Sequence, residues 1–277
     1  MDQDFHSHFK LVVGAVLLLF NPLSIKALSG LFRSCSTQSR ISSTLRALHS
    51  LLRIPDNTED PVQIFHKSFP DFLMNSGLCT DPRFFVDPPI HHKQILLSCL
   101  NVMKGGLKKN ICSLDKNTPL SEVEDLPALK AACIGDTLGY ACRFWTTHLA
   151  RTDASSLDVE EVQKEINEFF TTHLLYWIEV LSVMGNLDIG IYALNDVEQW
   201  YMLVSCTWGA YSGILYSCSF RQVSPVIGQG TVSDCFWNTL TQSMTIPSKF
   251  TIIASHSVHL CLGFTSTTVQ SSYKELG

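Results

Sequence analysis

Two histidines and two cysteines late in the chain are of the residue types that bind zinc. His256, His259 and Cys261 lie close together, and Cys235 precedes them. Two imidazoles and two thiolates can complete a tetrahedral zinc site where they converge. Their spacing matches no structural zinc module, and the surrounding sequence is rich in Cys, Ser and His. We therefore interpret this cluster as a chance arrangement and predict no metal site.

The motifs of the common phosphate-binding and hydrolytic sites are absent. The sequence contains no GxxxxGK[ST] phosphate loop, no GxGxxG after a strand, no HExxH and no GxSxG. Each of these sites needs the residues of its motif for its chemistry. We therefore predict that the chain is not an enzyme.

Two further groups of residues are candidates for binding, and we interpret both as structural. His91 and His92 lie early in an amphipathic helix, so that one ring should face solvent and the other the core. A set of aromatic residues has the helical spacing of a core rather than the clustering of a ligand site. It comprises Phe169, Phe170, Trp177, Trp200 and Tyr201.

The composition indicates a folded chain without a strong charge bias. Of 277 residues, 45% are hydrophobic and 16% are charged, which suffices for a sizeable core. The net charge of −5 gives no basic field that would attract nucleic acid or anionic lipid. The ten cysteines contain no CxxC pair. We expect most of them to be reduced and buried in a cytoplasmic protein.

The apolar run at residues 11–20 is the one segment that raises the question of a membrane. Its length suits the core of a signal peptide but is too short to cross a bilayer. Asp2 and Asp4 precede it, and no small-x-small cleavage site follows. We predict a buried helix, and a membrane-attached protein is the alternative.

Residues 5–80 carry the pattern of a winged-helix domain. The predicted order is three helices, a two-stranded hairpin and a fourth helix. The first helix runs to Phe20, and Arg53 and residues 62–64 mark the two strands. Ser68 and Asp71 resemble a capping arrangement that opens the fourth helix. The second helix carries Ile25, Leu28 and Leu31, and the third carries Ile41, Leu45, Leu48 and Leu52.

Residues 84–206 have a helical period throughout and predict an irregular α-helical bundle or short solenoid. We place helices from Asp87, at residues 134–149, at residues 159–184 and from about Asp196 to Val204, with Gly185 ending the third. A loop with Pro119 and Pro127 separates the first two. Residues 207–277 are rich in Ser and Thr and low in charge, and we assign no fold to this tail.

A basic series in the first domain raises a second alternative, a winged-helix nucleic-acid-binding protein. No acidic residue interrupts the series before Asp56, so the third helix presents cations to phosphates. The same helix has few side chains suited to base edges, and we do not favour nucleic acid as a partner. The series comprises Lys26, Arg33, Arg40, Arg46 and Arg53.

Seven segments between residues 10 and 204 carry a family resemblance. They are residues 18–24, 45–52, 64–73 (IFHKSFPDFL), 79–87, 95–100, 140–145 and 177–181. In this order they resemble the region that follows the ATPase core of fungal NACHT proteins, which are STAND-class signalling ATPases similar to NOD-like receptors. The resemblance implies a winged helix followed by a helical segment. The phosphate loop of the family would lie upstream of Met1, which implies a truncated form of such a protein.

The resemblance also gives one residue a role. In STAND proteins a winged-helix histidine contacts the β-phosphate of bound ADP and holds the closed state, and His66 is the matching position. His66 precedes a predicted helix start at Ser68, where free N–H groups favour an anion. Lys67 departs from relatives that have Asp there, and a hydrogen-bonded structural histidine is the alternative for His66.

The function that the resemblance implies is the regulatory segment of a NACHT-type signalling protein. Such a segment would sense the nucleotide state of the protein and dock on its ATPase core or on a signalling partner. It would have no catalysis of its own and would meet ADP or ATP only through an upstream NACHT core.

Overall fold

Helices dominate the fold, which is mainly α as the sequence predicts. The structure is a computed structural model that describes residues 2–33, 36–115, 120–153 and 159–212. The cluster at residues 235–261 lies outside the described residues. The described residues belong to one compact unit, residues 1–213.

The described residues contain ten α-helices, one two-stranded sheet and one 3₁₀-helix, Leu120–Glu122. The helices are α1 (Asp2–Leu18), α2 (Ile25–Leu31), α3 (Gln38–Arg46), α4 (Ser68–Leu73), α5 (Pro88–Gly106), α6 (Leu126–Cys133), α7 (Gly135–Leu149), α8 (Val159–Thr172), α9 (Leu174–Met184) and α10 (Leu187–Ser212). The strands are β1 (Leu52–Arg53) and β2 (Gln63–Ile64).

The first 80 residues contain the predicted order of helices and hairpin. Strands β1 and β2 pair antiparallel, with Leu52 opposite Ile64. Ser24 forms an isolated bridge with Pro61, which ties the start of α2 to the hairpin. The order agrees with the prediction, and the assignment to the winged-helix fold stays a prediction.

The third helix is shorter than its apolar spacing predicts. It ends at Arg46, after which the N–H groups of Leu48 and Leu51 donate to carbonyls three residues earlier. Leu52, predicted as the last apolar residue of the helix, lies instead in β1 and is buried there. The strand satisfies the backbone of Leu52 and buries its side chain, so tertiary pairing overrides the helical pattern.

Helix α6 forms where the sequence predicts a loop. Asp125 has a left-handed backbone, and its carboxylate accepts a hydrogen bond from the N–H of Ala128. Pro127 lies in the first turn, where a helix loses no hydrogen bond by having proline. No residue of α6 is buried.

The predicted single helix at residues 159–184 is in fact two helices. The break lies at His173. Just before it, the hydroxyls of Thr171 and Thr172 donate hydrogen bonds to backbone carbonyls of the preceding turn. Such back-bonding bends helices. Gly185 ends α9, as predicted, and it has a left-handed backbone. The last helix starts at Leu187 rather than near residue 196.

The core lies around α5, which packs against α1, α2, α7 and α8. The predicted aromatic core is confirmed for four of its members, and Trp145 of α7 joins them. Tyr201 is half-buried, and its hydroxyl donates to Asn167. The four are Phe169, Phe170, Trp177 and Trp200.

The apolar run at residues 11–20 lies mostly in α1, which ends at Leu18 rather than at Phe20. Val12, Val13 and Ala15 are buried in the core. The prediction of a buried helix is confirmed. Among the described helices, none combines the length and apolarity needed to cross a membrane.

Gly14 permits the close approach of α1 to α5. A Cβ atom at this position would lie 2.2 Å from Cδ2 of His91. We expect Gly14→Ala to lower the free energy of unfolding by about 1–3 kcal/mol because the buried ring must shift. Denaturant unfolding of both chains measures this difference.

Gly105 provides the matched control, since nothing lies within 4 Å of a Cβ added there. Gly105→Ala in α5 should be neutral or stabilise by up to about 1 kcal/mol, the helix propensity of alanine over glycine. Equal effects of the two substitutions would show that the α1–α5 contact is not tight.

Candidate functional site

His66 lies in the short connection between β2 and α4, and its side chain is exposed. The backbone N–H of Ser68 donates to Nδ1 of His66 at 3.1 Å, and Ser68 Oγ lies 2.8 Å from the same nitrogen. Because an amide N–H can only donate, Nδ1 accepts. The neutral ring therefore carries its proton on Nε2, which is a hydrogen-bond donor on an exposed side chain.

The capping role predicted for Ser68 is wrong. Helix α4 starts at Ser68 itself, the residue before it is Lys67, and no side chain caps the helix. The Ser68 hydroxyl contacts His66 instead. Two hydrogen bonds from one residue thus fix the imidazole ring, which the sequence pattern did not indicate.

Large apolar side chains are exposed on the same segment. Phe65 is 60% exposed and Phe72 is 47% exposed. The N–H of Phe65 donates to the carbonyl of Leu51, which places these two residues side by side across the hairpin. We call His66 and the exposed residues Leu51, Phe65 and Phe72 the hairpin surface.

One cation of the basic series is paired with an acidic residue of the hairpin loop, and another donates a hydrogen bond within its own helix. Lys26 forms an ion pair with Glu59 at 2.9 Å. The Arg46 guanidinium donates to Ser42 on α3. The charge of Lys26 is therefore balanced within the chain.

Both His91 and His92 are buried, so the prediction that one of them faces solvent is wrong. Helix α1 covers His91 at Gly14, and Nδ1 of His91 lies 2.8 Å from the carbonyl of Asp87. His92 faces α7 on the other side. The burial of these residues depends on helices distant in sequence.

His92 belongs to a chain of buried hydrogen bonds that joins α5, α7 and the end of α1. The N–H of Phe20 donates to the Tyr140 hydroxyl oxygen, which lies 2.8 Å from Nε2 of His148. Nδ1 of His148 lies 2.8 Å from Nδ1 of His92. The assignment that gives the Tyr140 hydroxyl proton an acceptor within this chain has Tyr140 donating to His148 Nε2 and His148 Nδ1–H donating to His92 Nδ1. We call His92, Tyr140 and His148 the buried triad.

Burial keeps the triad neutral. It lowers the pKa of His92 to about 4 and the pKa of His148 to about 3, and the Arg151 charge adds to both shifts. Burial also raises the pKa of the Tyr140 hydroxyl. The ring of Phe20 packs on the rings of His92 and His148. The Arg151 guanidinium lies over the Phe20 ring, 4.8 Å from its centre.

Sequence reasoning missed Tyr140 and His148 as partners of His92. The two lie eight positions apart on α7, which places them on one helix face, and this spacing was the available signal. Nothing in the sequence links them to His92, 56 positions away from His148. In the described part of the chain, no group of three or more His, Cys, Asp or Glu residues forms a metal site.

Comparison with known proteins finds one distant relative among the curated proteins. The chain is 25% identical over 207 residues to the vegetative incompatibility protein HET-E-1 of Podospora anserina. The match covers 68% of this chain and 15% of that protein. No family model and no solved structure matches the chain. The similarity supports a distant relationship to this fungal protein.

Proposed function

We propose that this chain is a regulatory segment of a NACHT-type signalling protein. It senses the nucleotide state of an ATPase core and docks on that core through the hairpin surface. Two observations support the proposal. One is the similarity to a fungal incompatibility protein. The other is an exposed histidine, at the position the family resemblance indicates, whose ring orientation is fixed by Ser68.

His66 contributes one hydrogen bond in this proposal. With Nδ1 held by Ser68, Nε2–H donates to a β-phosphate oxygen of ADP in the core. A hydrogen bond to a charged phosphate is stronger than one between neutral groups. The contact exists only while the hairpin surface lies against the nucleotide, so it stabilises the closed, ADP-bound state.

The exposed aromatic residues supply the apolar part of the docking contact. Phe65 is adjacent to His66 in the chain, and Phe72 follows on α4. Aromatic side chains dominate the energetics of protein interfaces when they are desolvated. We propose a protein partner for this surface and not a nucleic acid or a membrane.

The chain itself carries no catalysis in this proposal. In a protein of this type the phosphate loop of the ATPase core binds ADP or ATP, and this sequence does not contain that motif. Five cysteines in the described residues are free thiols, which accords with a cytoplasmic location.

The proposal predicts that His66→Ala weakens ADP binding when the chain is joined to a NACHT core. Loss of a hydrogen bond to phosphate costs about 1.5–3 kcal/mol, which is roughly a 10- to 150-fold loss of ADP affinity. Nucleotide titration of the folded protein measures this loss, and a melting curve of the same sample reports stability.

His49→Ala is the matched control, because His49 is also an exposed histidine of this region. It should leave ADP affinity unchanged. If His66→Ala lowers the melting temperature but leaves ADP affinity per folded molecule intact, His66 is a structural histidine and the sensing role is wrong.

A further inference from the structure

A serine, a histidine and a threonine form a chain of hydrogen bonds between α1 and α3. His8 of α1 is buried, and its Nε2 lies 2.5 Å from Oγ of Ser36, which precedes α3. Nδ1 of His8 lies 3.1 Å from Oγ1 of Thr44 on α3. These three side chains belong neither to the hairpin surface nor to the buried triad.

The direction of each hydrogen bond follows from Thr44. Its hydroxyl donates to the carbonyl of Arg40 at 3.0 Å, and a hydroxyl has only one proton. Thr44 Oγ1 therefore accepts from Nδ1–H of His8, which leaves Nε2 of the neutral ring as an acceptor. The Ser36 hydroxyl donates to this nitrogen, since its other contact, to the carbonyl of Thr37, is much longer at 3.4 Å.

This arrangement is the one that activates a serine hydroxyl. A histidine within hydrogen-bond reach takes the hydroxyl proton as the oxygen attacks, and a third group holds the ring in the tautomer with an unprotonated Nε2. His8 has the position of the base. Thr44 acts through His8 and is a positioning residue.

We propose that Ser36 is a nucleophile that accepts an acyl group from an activated carboxylic ester. This modification site goes beyond the nucleotide-sensing role and does not depend on His66. The reaction is stoichiometric, so each chain carries one ester at Ser36 after it.

The transfer conserves atoms and protons. Ser36 Oγ attacks the carbonyl carbon of the donor, so that a new C–O bond forms, and the hydroxyl proton moves to Nε2 of His8. The bond from the carbonyl carbon to the leaving oxygen then breaks, and His8 gives the proton to that oxygen. One hydroxyl and one ester thus give a serine ester and one alcohol.

The surroundings of Ser36 suit an apolar acyl donor. Ser36 is half-buried, so a reagent reaches it from solvent. Phe5 lies three positions before His8 on α1, hence on the same face of that helix, and its side chain is 51% exposed. Helix α3 begins at Gln38, two residues after Ser36, and the N–H groups at a helix start favour the negative oxygen that forms during the attack.

The test is labelling of the full chain with an alkyl fluorophosphonate, which reacts with activated serines as an ester does. The serine oxygen bonds to phosphorus and fluoride leaves, which gives a stable adduct. Tryptic cleavage places Ser36 in the peptide of residues 34–40, and fragmentation locates the adduct within it. We expect one adduct per chain, at Ser36, that is absent after unfolding in urea. Prior treatment with p-nitrophenyl butyrate, an acyl donor, should block it.

Ser29 provides a matched control within the same chain. It is half-buried like Ser36, but its hydroxyl donates to the carbonyl of Lys26. Ser29 lies in the tryptic peptide of residues 27–33, which should stay unlabelled. Labelling of both serines, or of Cys35 in place of Ser36, would mean general reactivity and overturn the proposal.

Variants assign the roles of His8 and Thr44. His8→Gln should slow labelling by about 100-fold or more, the usual contribution of a general base. Thr44→Val should slow it about 5- to 10-fold, the effect of one hydrogen bond, and Thr44→Ser should restore the rate. The proposal is wrong if the folded native chain takes up no reagent at Ser36, or if p-nitrophenyl butyrate does not block the adduct. Because the unsubstituted chain decides this, the result stands even where a variant fails to fold.

Discussion

Val13→Asp is expected to unfold the chain. Val13 of α1 has no exposed surface, so the substitution removes a buried apolar side chain and places an unpaired carboxylate in the core. The lost burial alone costs about 1.5–3 kcal/mol. Burying the new carboxylate as an unpaired charge costs several kcal/mol more. Keeping it protonated in the core has a similar cost. A total above about 4 kcal/mol is a large part of the stability of a typical domain.

Circular dichroism and denaturant unfolding measure this effect, and Val16→Asp is the matched control. Val16 lies on the same helix and is half-buried, so its carboxylate keeps contact with water. We expect a clearly smaller loss of stability there. If Val13→Asp stays folded and instead shifts the protein out of a lipid-bound fraction, residues 11–20 are a membrane anchor.

The helical spacing of apolar residues predicted those helices whose apolar residues lie on one face. It placed α2, α5 and α7, and the left-handed Gly185 marked the end of α9 because few other residues adopt that backbone. The same spacing of apolar residues continues beyond the end of α3 to Leu52, and it continues across His173, where α8 gives way to α9. At these positions the apolar pattern persists while the backbone changes, so the pattern carries no information on the break.

The candidate site was only partly predictable for a related reason. The resemblance gave the position of His66, but the tautomer of His66 follows from the bond to Ser68, which only coordinates reveal. The burial of His91 requires α1 to pack over α5. The triad joins residues far apart in sequence, and no local pattern encodes contacts of that range.

Acidification is expected to destabilise the chain steeply through the buried triad. The pKa values of His92 and His148 in the folded chain are about 4 and about 3, whereas an unfolded histidine has a pKa of about 6.5. Between these values the unfolded chain binds more protons than the folded chain. Stability therefore rises with pH in this window and is fully present above about pH 6.5.

The expected loss between pH 7 and pH 5 is about 3–4 kcal/mol. Each histidine contributes a slope of at most about 1.4 kcal/mol per pH unit, and both titrate in this interval. Protonation of His148 would also disrupt the hydrogen bonds of the triad. A charged His148 donates from both ring nitrogens, so the Tyr140 hydroxyl loses its acceptor on His148. Carboxylates titrate mostly below pH 5, so measurements above that pH report the histidines.

Denaturant unfolding at several pH values between 5 and 8 tests this prediction, with the slope against pH as the readout. His92→Leu should remove its own share of the slope and leave the shares of His148 and of buried His91, whose pKa burial also lowers. It should also cost about 1–3 kcal/mol at pH 7 because His148 loses its acceptor. His49 is an exposed histidine outside the triad, and His49→Gln should leave the slope unchanged. A stability that stays flat from pH 7 to pH 5, or a slope that survives His92→Leu intact, would show that the triad admits protons without opening. In that case water must reach His92 in the folded chain, and the aromatic cover formed by Phe20 would not be closed.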